Sequence, residues 1–448
     1  MLRKVTLLFS AAALFLTVGV SAQEIQRITF DDAVQIALEN NVLLRRAANN
    51  VDLDAISLNR QRSSFLPDLR INSNGSNSSG RTFNQEDAQF VNESTQFFSA
   101  SASSSVTLFD GMGRVSSYRE ARNSLEARDY DFDRQRQTVV FSVMSNYITL
   151  LERSQQIEIQ QENLESQRQQ LRQIEEFTNV GSRPISDLYQ QQAAEANAEL
   201  NLLNAERAYQ LSEVNLIQVL QLDPFGAYEF VAPDVNTADL TAQAYDVENM
   251  LREAFSFRSD LKARETDIIA AEEGIRAARS GFFPSLSLNM STGSRADSRN
   301  SASFSDQFGD IQRSSSIGLS LGIPLFDRFT TRNNIEQSKV QYNNAQLSLE
   351  DLQQNIALDV RQSYLDYLTA EKTLEVTEKQ LISAEQAFTA EQERYNVGAA
   401  TLVELSQARA SFVQAQSDRN QGQFDFIFQS KLIDYYMGKL DPSEQLFR

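Results

Sequence analysis

The sequence predicts a mainly α-helical chain with a transmembrane β-barrel portion, built by duplicating one helix–strand pair–long helix–helix unit. Three observations carry this: a constant internal offset, segments of two-residue alternation, and two long runs without a helix breaker. "SFLPDLRIN" from Ser64 matches "GFFPSLSLN" from Gly281, and "TLFDG" from Thr107 falls on "PLFDR" from Pro324. "NVGS" from Asn179 falls on "NVGA" from Asn396 at the same shift, and "LDP" at Leu222 meets "LDP" at Leu440 one residue later. The order divides the chain into residues 1–22, a first repeat over 23–222, a linker over 223–245 and a second repeat over 246–448.

The start, "MLRKVTLLFSAAALFLTVGVSAQ", joins Arg3 and Lys4 to an apolar run ending at Val20 and a small-residue site at Ala22. It reads as a signal peptide rather than a retained helix, because the run falls short of the ~20 residues that span a bilayer.

Each repeat then follows one plan. A shorter helical segment, "ITFDDAVQIALENN" running toward Ser64, has its counterpart from Asp246 to Ser280. Thr29 and Asp32 have capping-box spacing, and Pro67 or Pro284 closes the segment, since proline cannot continue a helix. Strands follow at about 67–76 and 96–109, and again at about 284–293 and 315–325. In the first pair Phe98, Ala100, Ala102, Val106 and Leu108 alternate with serines and Thr107. In the second pair Ile317, Leu319, Leu321 and Ile323 alternate with Gly318, Ser320 and Gly322. This period of two is the strand signal. Polar loops are expected between the paired strands, over 74–96 and 294–314.

Long helices come next, over about 111–179 and 327–396, each on the order of 100 Å long at 1.5 Å per residue. Val143, Leu150, Ile157, Leu164 and Leu171 fall every seventh residue, as do Val360, Tyr367, Leu374, Leu381, Phe388 and Tyr395. Such a repeat marks a coiled-coil seam, and the polar residues between suit a thin wall wet on both sides. Gly181 and Gly398 end these helices, and returning helices follow at about 184–221 and 401–438. Pro184 suits the first turn of one, and Thr401 with Glu404 has capping-box spacing in the other.

Composition narrows the function. Sixty acidic against 41 basic residues disfavour nucleic-acid binding. Cysteine and histidine are absent, which removes disulfides, thiol nucleophiles, lipid-acylated cysteine, the usual zinc sites and the Ser-His-Asp machinery. A carboxylate pair would still serve a glycosidase, but no pair stands out among so many acids. No enzyme activity, metal or cofactor is expected.

Four strands are too few for a single-chain membrane barrel, which begins at eight, and lipid tolerates no open sheet edge. Either several chains share one barrel, or the strands form a small soluble sheet roofed by helices, as in a periplasmic coiled-coil adaptor or tether.

The duplicated order, with "FLP", "LFD" and "NVG" at matching places, resembles the outer membrane efflux protein family, the TolC-like channels, over essentially the whole mature chain. The resemblance implies a homotrimer with a shared twelve-stranded outer-membrane barrel and a periplasmic helical tunnel closed by the hairpin tips. It implies the passive exit duct of a tripartite efflux or type I secretion system, working with a periplasmic adaptor (membrane fusion) protein and an inner-membrane pump or transporter. Under it, Asn179, Val180, Gly181, Asn396, Val397 and Gly398 are the tips that dock the adaptor. Tyr395 matches a family tyrosine that holds the tips closed, and Ser186 and Asp187 match its hydroxyl and carboxylate partners. Where the family's best-known members carry an arginine after the second-copy glycine, Ala400 stands, while Arg183 occupies that place in the first copy. Glu404 matches the outer of two acidic constriction positions and the other is Gln407, so a ring there is single; Glu404 reads equally well as a helix cap. In the family the linker contributes to an equatorial belt. Phe97, Phe98, Phe109 and Phe326 stand in for the tryptophans that barrel girdles often use, of which the chain has none.

Overall fold

The computed structural model describes residues 25–84, 88–231 and 243–440. The expected signal peptide lies outside them, as do residues 232–242 of the linker. In the first repeat a short strand β1 (Gln26–Ile28) leads to α1 (Phe30–Asn40) and α2 (Val42–Ser63), then β2 (Arg70–Asn84), β3 (Gln89–Phe109), α3 (Gly113–Asn179) and α4 (Ile185–Leu220). After β4 (Tyr228–Phe230) the second repeat runs α5 (Val247–Phe257), α6 (Ser259–Arg279), β5 (Ser285–Asp297), a single turn α7 (Phe304–Asp306), β6 (Ser314–Gly322), α8 (Thr330–Asn396) and α9 (Leu402–Tyr436).

The two long helices have 67 residues each. Val143, Leu150, Leu164, Val360, Tyr367 and Tyr395 of their heptad rows are buried. Thr29 and Asp32 form the expected capping box.

Four expectations need correction. The shorter helical segment of each repeat is two helices, broken at Asn41 (φ −60°, ψ 122°) and at its equivalent Arg258 (φ −64°, ψ 121°). At the first break the Asn41 side chain accepts from the Leu43 and Leu44 amides, a local bond that competes with helix continuation. The polar stretch 74–96, read as a loop, is mostly strand. Backbone pairing runs on from Arg70↔Ser103 to Asn84↔Gln89, although the apolar alternation has faded there. β5 likewise extends to Asp297, into the second expected loop. Finally, the linker holds β4, which pairs in parallel with β1 through Ile28↔Phe230.

The four longer strands form one antiparallel sheet in the order β2-β3-β5-β6. Its register puts Ile71, Ala102 and Thr292 on one face with Val106, Leu288 and Leu319, while Ser105, Asn289 and Gly318 share the other. The apolar face is not roofed. Ile71 is 79% exposed and Ile317 72%, and apart from a short turn beside β5 no helix packs extensively on the sheet. Among the described residues neither edge, on β2 or β6, has a partner strand. The soluble, helix-covered sheet is therefore not what this chain forms.

The helices supply the core in three clusters. Near mid-length, α1, α3, α4 and β4 bury Tyr147, Leu150, Leu216 and Phe230. A second cluster joins α5 and α6 to α8 and α9 through Met250, Leu261, Tyr367 and Ile433, and a third gathers at the tips. Toward the strands the packing order is α2 on α3, α3 on α6, and α6 on α8; toward the tips it is α4 on α3, α3 on α9, and α9 on α8. Four helices thus stand side by side along the length, with α2 or α4 at one flank and α8 at the other. Among the described residues no helix is long and apolar enough to cross a membrane.

Candidate functional site: the paired hairpin tips

Both tips are built the same way. Past Asn179 the chain turns through Val180 into Gly181 at φ +75°, and past Asn396 through Val397 into Gly398 at φ +78°. The Ser182 amide donates back to the Phe177 carbonyl (2.9 Å) and the Gly181 amide to Thr178 (3.0 Å). In the second copy Ala399 donates to Arg394 (2.7 Å) and Gly398 to Tyr395 (3.0 Å). This is the Schellman closure, in which a left-handed residue lets two amides satisfy the last helical carbonyls. The turn leaves all six tip residues exposed, with Val180 at 76% and Val397 at 80%.

The helices return differently. Thr401 caps α9 with a complete capping box: its hydroxyl accepts from the Glu404 amide (3.2 Å), and Glu404 Oε2 accepts from the Thr401 amide (2.7 Å) and hydroxyl (3.0 Å). Those bonds, from the Thr401 backbone first and its side chain second, hold the exposed Glu404 carboxyl below its usual range. Pro184 sits at the N-cap of α4 rather than inside its first turn, and no side chain caps that helix.

Behind the turns the hairpins meet. Ile174, Tyr395, Leu402 and Leu405 are buried together, with Leu188, Phe388 and Ala400 packed against them. Tyr395 lies second from the end of α8, so the Schellman turn that uses its carbonyl also fixes its ring. The Arg183 guanidinium lies over that ring at 4.6 Å and pairs with Asp187 at 3.7 Å; Ser186 donates to Asp187 at 3.5 Å. The structure therefore brings Tyr395, Arg183, Asp187 and Ser186 together, but through the ring. The Tyr395 hydroxyl is buried and makes no hydrogen bond of ordinary geometry, though the Gln170 side chain lies near enough to act on it. Burial pushes the phenol upward, opposed by Arg183.

One layer at this end was not read from the sequence. Gln191 of α4 donates to Gln167 Oε1 of α3 at 2.7 Å, and Arg409 of α9 donates to the same oxygen at 3.0 Å. The Arg409 guanidinium also lies 5.3 Å from the Phe388 ring of α8. Every helix of the tip bundle contributes one side chain. The available signal was Arg409 itself, which follows Leu402 and Leu405 on one helical face where a third apolar residue would be expected.

Among the described residues no cluster of three or more acidic side chains is arranged to hold a metal ion.

The profile of the family described as "Outer membrane efflux protein" matches residues 33–220 and 250–425. The chain is 24% identical to outer membrane protein TolC of Escherichia coli over 418 residues, which covers 92% of this chain and 82% of that one. It is 24% identical to TolC of Vibrio cholerae, covering 99% of this chain and 97% of that one. In fold it is similar to the Campylobacter jejuni CmeC outer membrane channel, with a TM-score of 0.76, 18% identity, and coverage of 93% of this chain and 87% of that one. With matches to both repeats, to relatives along nearly their whole length and to a solved channel, the chain belongs to the outer membrane efflux protein family.

Proposed function

We propose that three copies of this chain form the exit duct of an export system, with a shared β-barrel in the outer membrane and a helical tunnel that closes at the hairpin tips. The observation that carries this is the bare four-stranded sheet. Its apolar face is exposed and both edges are unpaired, an arrangement lipid accepts only when neighbouring chains complete the ring. The span from Phe98 to Leu108 is about the ten residues a tilted strand needs to cross a membrane. Exposed rings at Phe109 and Phe326 on the helix side, and at Phe98 on the other, mark its borders.

The helices support the same assembly. Leu200, Leu203 and Leu211 on α4, and Leu358, Leu365 and Val376 on α8, are exposed on the two flanks of one chain, where a second copy would cover them. The tips then ring the inner mouth. Val180 and Val397 provide the contact for a periplasmic adaptor, which couples the duct to an inner-membrane pump, and Arg183, Tyr395 and Asp187 hold adjacent hairpins closed.

Glu404 is exposed near that mouth and spends one oxygen on its cap, so three copies about a common axis would concentrate negative charge and favour cations. Purified protein in planar bilayers should conduct, and Glu404→Gln should lower its cation-to-anion permeability ratio. Unchanged selectivity would leave Glu404 as a cap alone, and a protein that never conducts would reject the duct.

A further inference from the structure

We propose that Arg409 is a built-in opening bias: a guanidinium held out of water without a counter-charge, which opposes closure of the two hairpins and is rehydrated when they part.

Arg409 is only 5% exposed within a single chain. Its Nη1 donates to Gln167, its Nε has no hydrogen-bond partner, and it forms no ion pair among the described residues. The groups around it from the neighbouring helices are the amide of Gln167 and the ring of Phe388, both uncharged. Burial alone accordingly pulls its pKa down, with no opposing carboxylate. A buried charge lacking an ionic partner is costly, and one neutral hydrogen bond with an aromatic face offsets only part of that cost. The side chain is already largely enclosed by its own chain, which leaves little of it for a neighbouring protomer's acid to reach while the hairpins stay together.

The surrounding contact is the one suited to part. Gln160 and Gln170 of α3, and Asn420 and Gln423 of α9, are all buried, and Asn420 crosses to the Glu152 carbonyl of α3 at 3.1 Å. Oxygens of Gln160, Asn163, Asn420 and Gln423 lack hydrogen-bond partners. Polar groups that find no protein partner across a contact hold it less firmly than an apolar seam would, and solvent can satisfy them when it parts. The apolar tip cluster around Tyr395 and Leu405 then holds the mouth shut, and Arg409 works against it, so a modest force suffices to open it.

This rests on reading the tips as the gate of a conducting assembly, so wild-type conductance in planar bilayers is established first; its absence would reject that reading and not this one. Two variants then relieve the buried charge in opposite ways. Arg409→Met removes it, and Gln167→Glu supplies a carboxylate at the atom Arg409 already meets. Both should lower the frequency of openings, on the order of tenfold, and Arg409→Met should raise the thermal midpoint. Arg409→Lys keeps the charge and should open about as often as wild type. Gln167→Glu changes no shape and keeps the test available if Arg409→Met fails to assemble. Openings as frequent as wild type, or more so, in either relieved variant would overturn the proposal and make the layer a latch.

Discussion

The two repeats solve the same joint with different residues, and the difference shows what each joint faces. Where strand turns into long helix, both copies place two consecutive residues in the left-handed region: Gly111 (φ +67°) with Met112 (φ +69°), and at the equivalent positions Arg328 (φ +57°) with Phe329 (φ +63°). The first elbow is inside the chain. A Cβ on Gly111 would meet Phe283 Cβ at 2.5 Å and the Ser280 carbonyl at 2.8 Å, so the second copy leaves no room for a side chain. The second elbow is at the open flank, where Arg328 is exposed, and there the left-handed strain at the glycine's equivalent position is borne by a large residue. Arg114 braces the inner elbow by reaching Asp110 (3.1 Å), the Ser64 carbonyl (2.9 Å) and the Thr107 carbonyl. Its counterpart is Thr331, whose amide donates to Asp327 (2.8 Å). An interior joint needs glycine and a long brace; a flank joint tolerates bulk.

The largest expected effect breaks this comparison directly. Gly111→Val meets both the left-handed penalty and the clash with Phe283, and should destabilise the protein by about 3 kcal/mol. Arg328→Gly relieves strain at an open site and should change stability by less than about 1 kcal/mol, toward greater stability. Thermal midpoints and the yield of assembled protein would check both. Equal losses would mean that the elbows share one environment.

The tips differ in the same manner, and their effects are smaller. Arg183→Ala removes the cation from the Tyr395 ring and from Asp187, contacts worth about 1 kcal/mol together at this partial exposure. Openings in planar bilayers should rise about fivefold by that arithmetic. Adding Ala400→Arg on the other hairpin should restore only part of the closure, because Ala400 packs against the Tyr395 cluster and an arginine there must point away from it.

The smallest effect concerns the caps. The carboxyl of Glu404 is held below the usual glutamate range, so its contribution is complete above that range and is lost as pH falls through the lower folded value. The second tip should therefore loosen as pH falls below the ordinary glutamate range, seen as faster amide exchange at Thr401; Glu404→Gln should remove that pH dependence, and Thr401→Ala should only weaken it, because the backbone amide still donates. The first tip has Pro184 at its cap and no side chain to titrate there.

Much of this was legible in the sequence because it is periodic. The heptad rows, the "NVG" breaks and the Thr401–Glu404 spacing each reflect a local rule, and each long helix ends at the expected asparagine. The β2–β3 hairpin beyond Asn74 was illegible for the opposite reason. Its backbone pairs while its serines and asparagines show no alternation. β4 was missed because a three-residue strand depends on its partner β1, far away in sequence. At the tips, family likeness named Tyr395, Arg183 and Asp187, but that the arginine meets the ring depends on two hairpins packing together, which no spacing within one hairpin encodes. Arg409 was visible only as a polar residue in an apolar row. Its lack of a counter-ion is a property of four helices at once.

The most direct measurement asks whether a neighbour completes the sheet. The chain has no native cysteine, so introduced pairs report without background. Within one chain the β2 and β6 edges are three strand spacings apart, about 14 Å, beyond disulfide reach. Asn72→Cys on β2 would be combined in turn with Ser314→Cys, Ser316→Cys, Gly318→Cys or Ser320→Cys on β6 to scan the register. A shared barrel predicts that at least one pair oxidises in the outer membrane to covalent trimers. Monomers at every register, or a disulfide closing within a single chain, would contradict it.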